Sequence, residues 1–175
     1  GTYIAKNTTI NPLTGVFVVT YATIVVQTLA QAGIADAYYV SQTGNFSGIS
    51  VPAGVTPHYV TASTTNDNTE VYALLATNKA VYAKRGELWT HSAAQALTLT
   101  GPWILGAYGS GNAPKSTSAA GIGWLTFGSG GTPGIKDCRI LDWEWSGSSG
   151  TSNGFYGTAE FDQLTAVRVV MRNFS

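Results

Sequence analysis

The sequence is poor in charge. Only 10% of its 175 residues are Asp, Glu, Lys or Arg, and nine basic side chains balance nine acidic ones. A chain with no net charge and no basic run has little attraction for the phosphates of nucleic acid or for an anionic membrane. We therefore expect no nucleic-acid partner. A surface covered mainly by Ser, Thr, Asn and Gly is typical of secreted, virion or assembled proteins, so we predict an extracellular or virion location.

Cysteine and long apolar runs are also scarce. Cys138 is the only cysteine, which excludes an internal disulfide and leaves packing to stabilise the fold. The most apolar run, residues 16–26, contains Thr20, Tyr21 and Thr23 and is much too short to cross a bilayer as a helix. We expect no membrane insertion.

Helical patterns are few, and short strand patterns fill the chain. Residues 29–37 and 159–164 are helical candidates that we interpret as connectors. No period of roughly 20 to 50 residues is visible, so a repeat architecture is not expected. β-Branched and aromatic runs separated by Gly, Pro, Asn and Ser predict one all-β domain over residues 1–175, a sandwich or barrel. The predicted strands are residues 16–28, 37–41, 58–63, 70–76, 80–84, 103–108, 122–127, 135–145 and 165–172.

Residues 134–145 are the most informative stretch. The alternation predicts a strand that buries Cys138 and Ile140 on one face. Its far half carries Trp143 and Trp145 on one face and two carboxylates on the other. We interpret the first half as core and the second half as surface. The indoles then form either a sugar-stacking edge or a strand end packed against a neighbour.

The order of five segments resembles the laminin-G-like, concanavalin A-like jelly-roll family of lectin and adhesion domains. The resemblance extends over most of the chain, and its segments are residues 39–51, 58–62, 81–88, 97–107 and 134–141. The last is similar to the family's Gly-x-Ile-Asp-x-Val-Arg-Ile-Tyr strand. The resemblance implies a two-sheet antiparallel jelly-roll sandwich. Arg85 stands where the family's turn has Asn or Asp, and Leu141 where Tyr is common. Many members bind calcium, but carboxylates are so few here that we expect no metal site and no cofactor.

Aromatic side chains beside two glycine-rich stretches are the candidate ligand site. A sugar site combines an aromatic platform with a few amides or carboxylates. The alternative for each ring is packing between the sheets or at a subunit contact. The two stretches, residues 109–120 and 146–154, are predicted loops. Near them lie the candidate ligand-binding residues Trp143, Trp145, Tyr156, Asn153, Trp124, Tyr108, Asp142 and Glu144.

Asp142 and Glu144 also raise the possibility of glycoside hydrolysis. Two carboxylates at this spacing on a strand fall within the separation that glycosidases use. Related jelly-roll glycanases resemble a Glu-x-Asp-x-x-Glu strand, however, and only Asp-x-Glu is present here. Solvated or salt-bridged carboxylates are the default interpretation. His58 and His91 have no ligand-spaced partner, which disfavours a zinc site.

These patterns predict a non-catalytic module that binds carbohydrate or a cell-surface receptor. Low charge and glycine-rich loops also resemble the head domains of phage tail fibres, which are often trimers, so we expect a homo-oligomer. The alternative is a structural virion subunit, such as a capsid, fibre or decoration protein, whose aromatics are assembly contacts. A glycan-degrading enzyme is the third possibility.

Overall fold

A computed structural model describes residues 2–10, 17–25, 28–47, 49–60, 67–91, 95–97, 101–118, 125–127, 137–147, 155–157 and 163–173. The chain divides into two compact units, Gly1–Gly33 and Ile34–Ser175. In the first unit, β1 (Thr2–Ile10) and β2 (Phe17–Val25) pair antiparallel as a two-stranded sheet. The strand predicted for residues 16–28 is confirmed as β2.

The described residues of the second unit form short strands and one helix. The helix α1 (Asp67–Leu74) lies between β4 and β5 in the chain. The strands are β3 (Asp36–Ser41), β4 (Val55–Tyr59), β5 (Lys79–Lys84), β6 (Leu88–His91), β7 (Gln95–Leu97), β8 (Trp103–Tyr108), β9 (Lys115–Ser118), β10 (Leu125–Phe127), β11 (Cys138–Leu141), β12 (Glu144–Ser146), β13 (Phe155–Gly157), β14 (Leu164–Val167) and β15 (Val170–Arg172).

From β5 onward, the strands recur in groups of three. Each pairs in parallel with the strand three places further along the chain: β5, β8, β11 and β14 share one sheet, β6, β9, β12 and β15 a second, and β7, β10 and β13 a third. The chain therefore passes once through each sheet per coil, which is a parallel β-solenoid. β3 and β4 extend the first sheet, whose order is β14-β11-β8-β5-β3-β4.

The predicted antiparallel jelly-roll sandwich is therefore wrong, because the sheets of the second unit are parallel. The expectation that no repeat architecture is present is wrong as well. The coils begin at Lys79, Trp103, Cys138 and Leu164. The intervals between these starts are unequal, so the structural repeat leaves no fixed period in the sequence.

The predicted continuous strand at residues 135–145 is two strands in different sheets, β11 and β12. Asp142 turns the corner between them with φ 58°, and its N–H donates to Val167 O at 2.9 Å. Arg168, with φ 51°, turns the matching corner between β14 and β15, which divides the strand predicted at residues 165–172. Asp adopts this left-handed conformation more readily than most residues, which suits Asp142 to a corner.

Other predicted elements differ in type. Residues 70–76 are not a strand; most of them belong to α1, where Val71, Tyr72 and nearby Leu75 are buried together. This spacing suits one face of a helix rather than one face of a strand. Residues 29–33 form a turn instead of a helix, and the predicted loop at residues 109–120 contains β9. The helical candidate at residues 159–164 lies largely outside the described residues.

Broad rings fill the core between the sheets. Trp89, Trp103, Trp143 and Trp145 are all fully buried. The predicted burial of Cys138 and Ile140 is confirmed. The interpretation of the second half of this segment as surface is wrong, since both of its indoles lie in the core. α1 packs against β5 and β6 and so covers apolar side chains of the first coil.

A candidate binding cleft on the first sheet

The two faces of the first sheet carry different side chains. Val40, Val81 and Leu105 belong to the hydrophobic core. Because successive side chains of a strand point to opposite faces, Tyr39 and Tyr82 lie on the other, outer face. The register places Tyr39 beside Tyr82 on adjacent parallel strands.

Aromatic rings cluster where β3, β5 and β8 end. The rings of Tyr39 and Tyr108 stack with centroids 4.1 Å apart and planes 5° from parallel. Phe46, from the segment after β3, stacks on Tyr108 at 6.5 Å, and Tyr82 meets Tyr39 edge-on at 5.8 Å. Such pairs contribute about 0.5–1.5 kcal/mol each beyond the area they bury. Tyr108 is thereby covered, whereas Tyr39 stays half-buried.

A cleft of ≈ 560 Å³ opens beside these rings. Its volume falls within the range of small-ligand sites. We call it the tyrosine cleft; it is lined by Tyr39, Ser47, Ile49, Ser50, Lys84, Tyr108, Gly109 and Ser110. It combines aromatic and aliphatic surface with three serine hydroxyls, two phenol hydroxyls and one ammonium group. This is the composition of a site for a polar ligand that also has an apolar face.

Glu87 and Lys84 hold the segment that borders the cleft. The Glu87 carboxylate accepts hydrogen bonds from Ser41 Oγ at 2.8 Å and from the N–H of Gln42 at 3.1 Å. Lys84 Nζ donates to Thr43 Oγ1 at 3.3 Å and to the carbonyl oxygen of Asn45 at 3.0 Å. These contacts fix the start of the segment that carries Ser47, Ile49 and Ser50.

The phenols of the cleft stay protonated at neutral pH. Burial raises the pKa of Tyr39. Burial, and after it the nearby negative charge of Glu87, raises the pKa of Tyr108 well above its usual range. Each phenol can thus donate a hydrogen bond, and neither supplies a phenolate base.

The structure places Asp142 and Glu144 in ion-pair networks. Asp142 pairs with Arg85 at 2.8 Å and with Arg168, which donates through Nη2 at 2.7 Å. Hydrogen bonding from Arg168, opposed in part by burial and aided by the charge of Arg85, lowers the pKa of Asp142. Glu144 lies 3.6 Å from Lys115 and 3.4 Å from Arg172. With its lowered pKa, Asp142 is a poor general acid. The ion pairs favour a structural role for both carboxylates.

Glu144 also borders a second cleft, of ≈ 420 Å³, near the start of β6 and β9. Its lining includes Glu87 and Lys115 but no aromatic ring. Glu144 and Lys115 neutralise each other there, and Glu87 accepts hydrogen bonds from Ser41 and Gln42, so the described lining of this cleft offers no stacking platform and no free cation. It is the weaker of the two candidates.

The predicted aromatic site is largely internal. Trp143 and Trp145 lie 5.9 Å apart, and neither has exposed surface. Trp143 Nε1 donates to Ser116 Oγ at 3.0 Å, and Trp145 Nε1 to the Tyr72 hydroxyl at 3.3 Å. A sugar ring could not reach these indoles without opening the coil. Their contacts match the alternative that the rings pack between sheets.

The remaining predicted site residues that the structure describes do not lie together in one site. Tyr108 lines the tyrosine cleft, although only 5% of it is exposed. Tyr156 lies on β13 and pairs with Thr126 of β10 in the third sheet, where only the backbone is described. Asn153 and Trp124 lie outside the described residues.

Sequence reasoning missed Tyr39, Lys84 and the serines of the cleft. The alternation of Tyr82 and Lys84 on β5 was a usable signal, since it predicts one outward face with an aromatic ring and a cation. The predicted functional stretch at residues 109–120 does contribute Gly109 and Ser110. Bringing these residues together required the parallel order β3-β5-β8, which the sequence pattern did not indicate.

Comparisons with protein-family models, with curated proteins and with solved structures found no match. Among the described residues, no three His, Cys, Asp or Glu side chains cluster closely enough to hold a metal ion. Within the same residues, no helix has the length and hydrophobicity needed to cross a membrane.

Proposed function

We propose that the protein is a non-catalytic module that binds carbohydrate, as a free glycan or on a cell-surface receptor, through the tyrosine cleft. The observation that carries this proposal is the half-buried Tyr39 ring beside three serine hydroxyls in one cleft. Pyranose rings present C–H groups that pack on an aromatic surface and hydroxyls that exchange hydrogen bonds with serine. Low charge and a polar, uncharged surface support an extracellular or virion location.

Rigid support favours binding over catalysis at this site. Tyr39 is held by Tyr108 and Tyr82, so little ring motion is lost when a ligand binds. The lining residues that the structure describes include no carboxylate or histidine to act as a general acid or base.

A glycan array with the wild type and three variants tests the proposal. Tyr39→Ala should abolish binding, and Tyr39→Phe, which keeps the ring, should retain most of it. Ser110→Trp places a bulky side chain in the cleft from an exposed turn position and should also block binding. Met171→Ala, which truncates an exposed side chain in a different sheet, is the control. Absence of binding by the wild type, or undiminished binding by folded Ser110→Trp, would contradict the proposal.

A structural role in a virion or other assembly is the second candidate. Its support is the coil that contains β14 and β15, where Leu164 is 41% exposed, Val167 38% and Met171 46%. β14 and β15 are edge strands of their sheets, and exposed apolar side chains on edge strands are open to contact with another subunit. A homo-oligomer, such as the trimer common in fibre heads, would cover them. Light scattering in solution should then show an oligomer that Leu164→Asp dissociates; a monomer at all concentrations would contradict this role.

A further inference from the structure

Lys84 differs from every other basic side chain that the structure describes. Lys79, Arg85, Lys115, Arg139, Arg168 and Arg172 each lie within ion-pair distance of a carboxylate. Among the described residues, no carboxylate forms an ion pair with Lys84. Its charge is therefore not neutralised by a neighbouring acid of this part of the chain.

The ammonium group of Lys84 also has unused hydrogen-bonding capacity. An ammonium group has three N–H donors. Two of them have partners, Thr43 Oγ1 and the carbonyl oxygen of Asn45. Those two contacts orient the head group without cancelling its charge. The third donor remains for a ligand in the cleft that Lys84 lines.

Glu87 is the acidic group whose charge acts on this end of the sheet. Its two oxygens already accept hydrogen bonds from Ser41 and Gln42, and it does not line the tyrosine cleft. It supports the segment after β3 rather than competing for a cation in the cleft. Among the described residues that line the cleft, the one charged side chain is thus positive.

We propose that the tyrosine cleft selects glycans with a carboxylate, and that Lys84 is the residue that recognises it. This inference rests on the proposed carbohydrate-binding function. A sugar carboxylate would accept the third N–H of Lys84, while the sugar ring packs beside Tyr39 and its hydroxyls meet the serines. A charge-assisted hydrogen bond of this kind is shorter and stronger than a neutral one, and neutral sugars would lack it.

The test compares pairs of immobilised glycans, each a uronate-containing oligosaccharide beside its own methyl ester. The ester keeps the ring and the hydroxyls, removes the charge and adds one methyl group. We expect the wild type to bind the acid forms roughly tenfold more tightly than the esters. Salt should weaken binding of the acids more than binding of the esters.

Variants of two lysines on β5 separate recognition from support. Lys84→Met should lose the preference for the acid and still bind the esters, and Lys84→Arg should keep the preference. Lys79→Met is the matched control, because Lys79 lies at the opposite end of the same strand, next to Asp36. Thermal unfolding of each variant checks that the fold is intact.

The outcomes distinguish the two proposals. If the wild type binds neither acids nor esters, and no other glycan on the array either, carbohydrate binding itself fails. If it binds neutral glycans but neither uronates nor their esters, carboxylate selection alone is overturned. If it binds both forms equally, carbohydrate binding stands and carboxylate selection is overturned. If Lys84→Met loses acids and esters alike, the lysine supports the neighbouring segment instead of recognising charge, which also overturns the inference.

Discussion

Tyr39 and Tyr108 stack face to face although one strand, β5, separates their own strands in the sheet. The rings are 4.1 Å apart, whereas alternate strands of a sheet are separated by roughly 10 Å. The two side chains must therefore lean toward each other across β5. The stack fixes Tyr39 at the border of the cleft, and this links the packing of the outer face to the proposed binding site.

The absence of a side chain at Gly106 makes room for Tyr82. A Cβ atom at Gly106 would lie 2.8 Å from Tyr82 Cδ1, closer than carbon atoms tolerate. Gly106→Ala should displace the tyrosine ring and lower the free energy of unfolding by about 1–3 kcal/mol, measured by urea denaturation. In a Tyr82→Leu background, Gly106→Ala should lower the free energy of unfolding by clearly less. Equal costs in both backgrounds would show that the two residues are not coupled.

Asp142 should stabilise the fold in a pH-dependent way. In the folded protein, Arg168 lowers the pKa of the Asp142 carboxyl group. The stabilisation by Asp142 is therefore complete above its pKa in the unfolded chain, about 3.9, and is lost as the pH falls through its pKa in the folded protein. Asp142→Asn retains a residue that accepts positive φ. We expect it to cost about 1 kcal/mol at pH 7.

Denaturant unfolding at a series of pH values checks this prediction. The difference between wild type and Asp142→Asn should be constant near neutrality and should shrink below about pH 3.9. A difference that stays the same down to pH 2 would mean that the ion pairs with Arg85 and Arg168 do not contribute.

Substitutions of Trp145 should lower the stability of the fold and should affect glycan binding only where the protein unfolds. Trp145→Ala removes a fully buried indole and should lower the free energy of unfolding by about 3–5 kcal/mol. Trp145→Phe should cost less because it keeps most of the volume. If folded Trp145→Leu, which has no ring to stack on a sugar, binds glycan as the wild type does, sugar stacking at this position is excluded. Selective loss of binding without loss of stability would restore it as a site residue.

The thiol of Cys138 should be unreactive in the native state. It is fully buried, and burial, with a smaller effect of Asp137, raises its pKa to about 12. Since the thiolate is the reactive form, labelling at pH 8 should proceed only as fast as the protein opens. Thr165→Cys adds an exposed thiol as an internal control and should label at once. Rapid modification of Cys138 itself would contradict its placement.

Local patterns predicted single strands better than their assembly. β3, β5 and β8 lie where β-branched and aromatic runs indicate strands, and Cys138 and Ile140 alternate as expected. Strand direction was not encoded in those patterns. A half-buried alternating strand suits an antiparallel sandwich as well as a solenoid, and the resemblance to jelly-roll domains favoured the wrong choice.

The candidate site depended on long-range contacts. Trp143 and Trp145 have the composition of a sugar platform, but the corner at Asp142 brings them into a second sheet and turns both indoles into the core. Tyr39, Lys84 and Ser110 are far apart in sequence and meet only because β3, β5 and β8 are neighbours. Charge provided one usable clue, since Lys84 alternates with Tyr82 on β5 in a chain of which only 10% is charged.

The central claim is that glycans bind in the tyrosine cleft. Nuclear magnetic resonance titration of the isotopically labelled protein with a glycan that it binds tests this claim most directly. We expect amide shifts to concentrate at the borders of the tyrosine cleft, at Ser47, Ser50, Lys84 and Ser110, and to vanish in Ser110→Trp. Shifts that instead centre on the corner near Asp142 and Glu144, with the cleft amides unchanged, would contradict it.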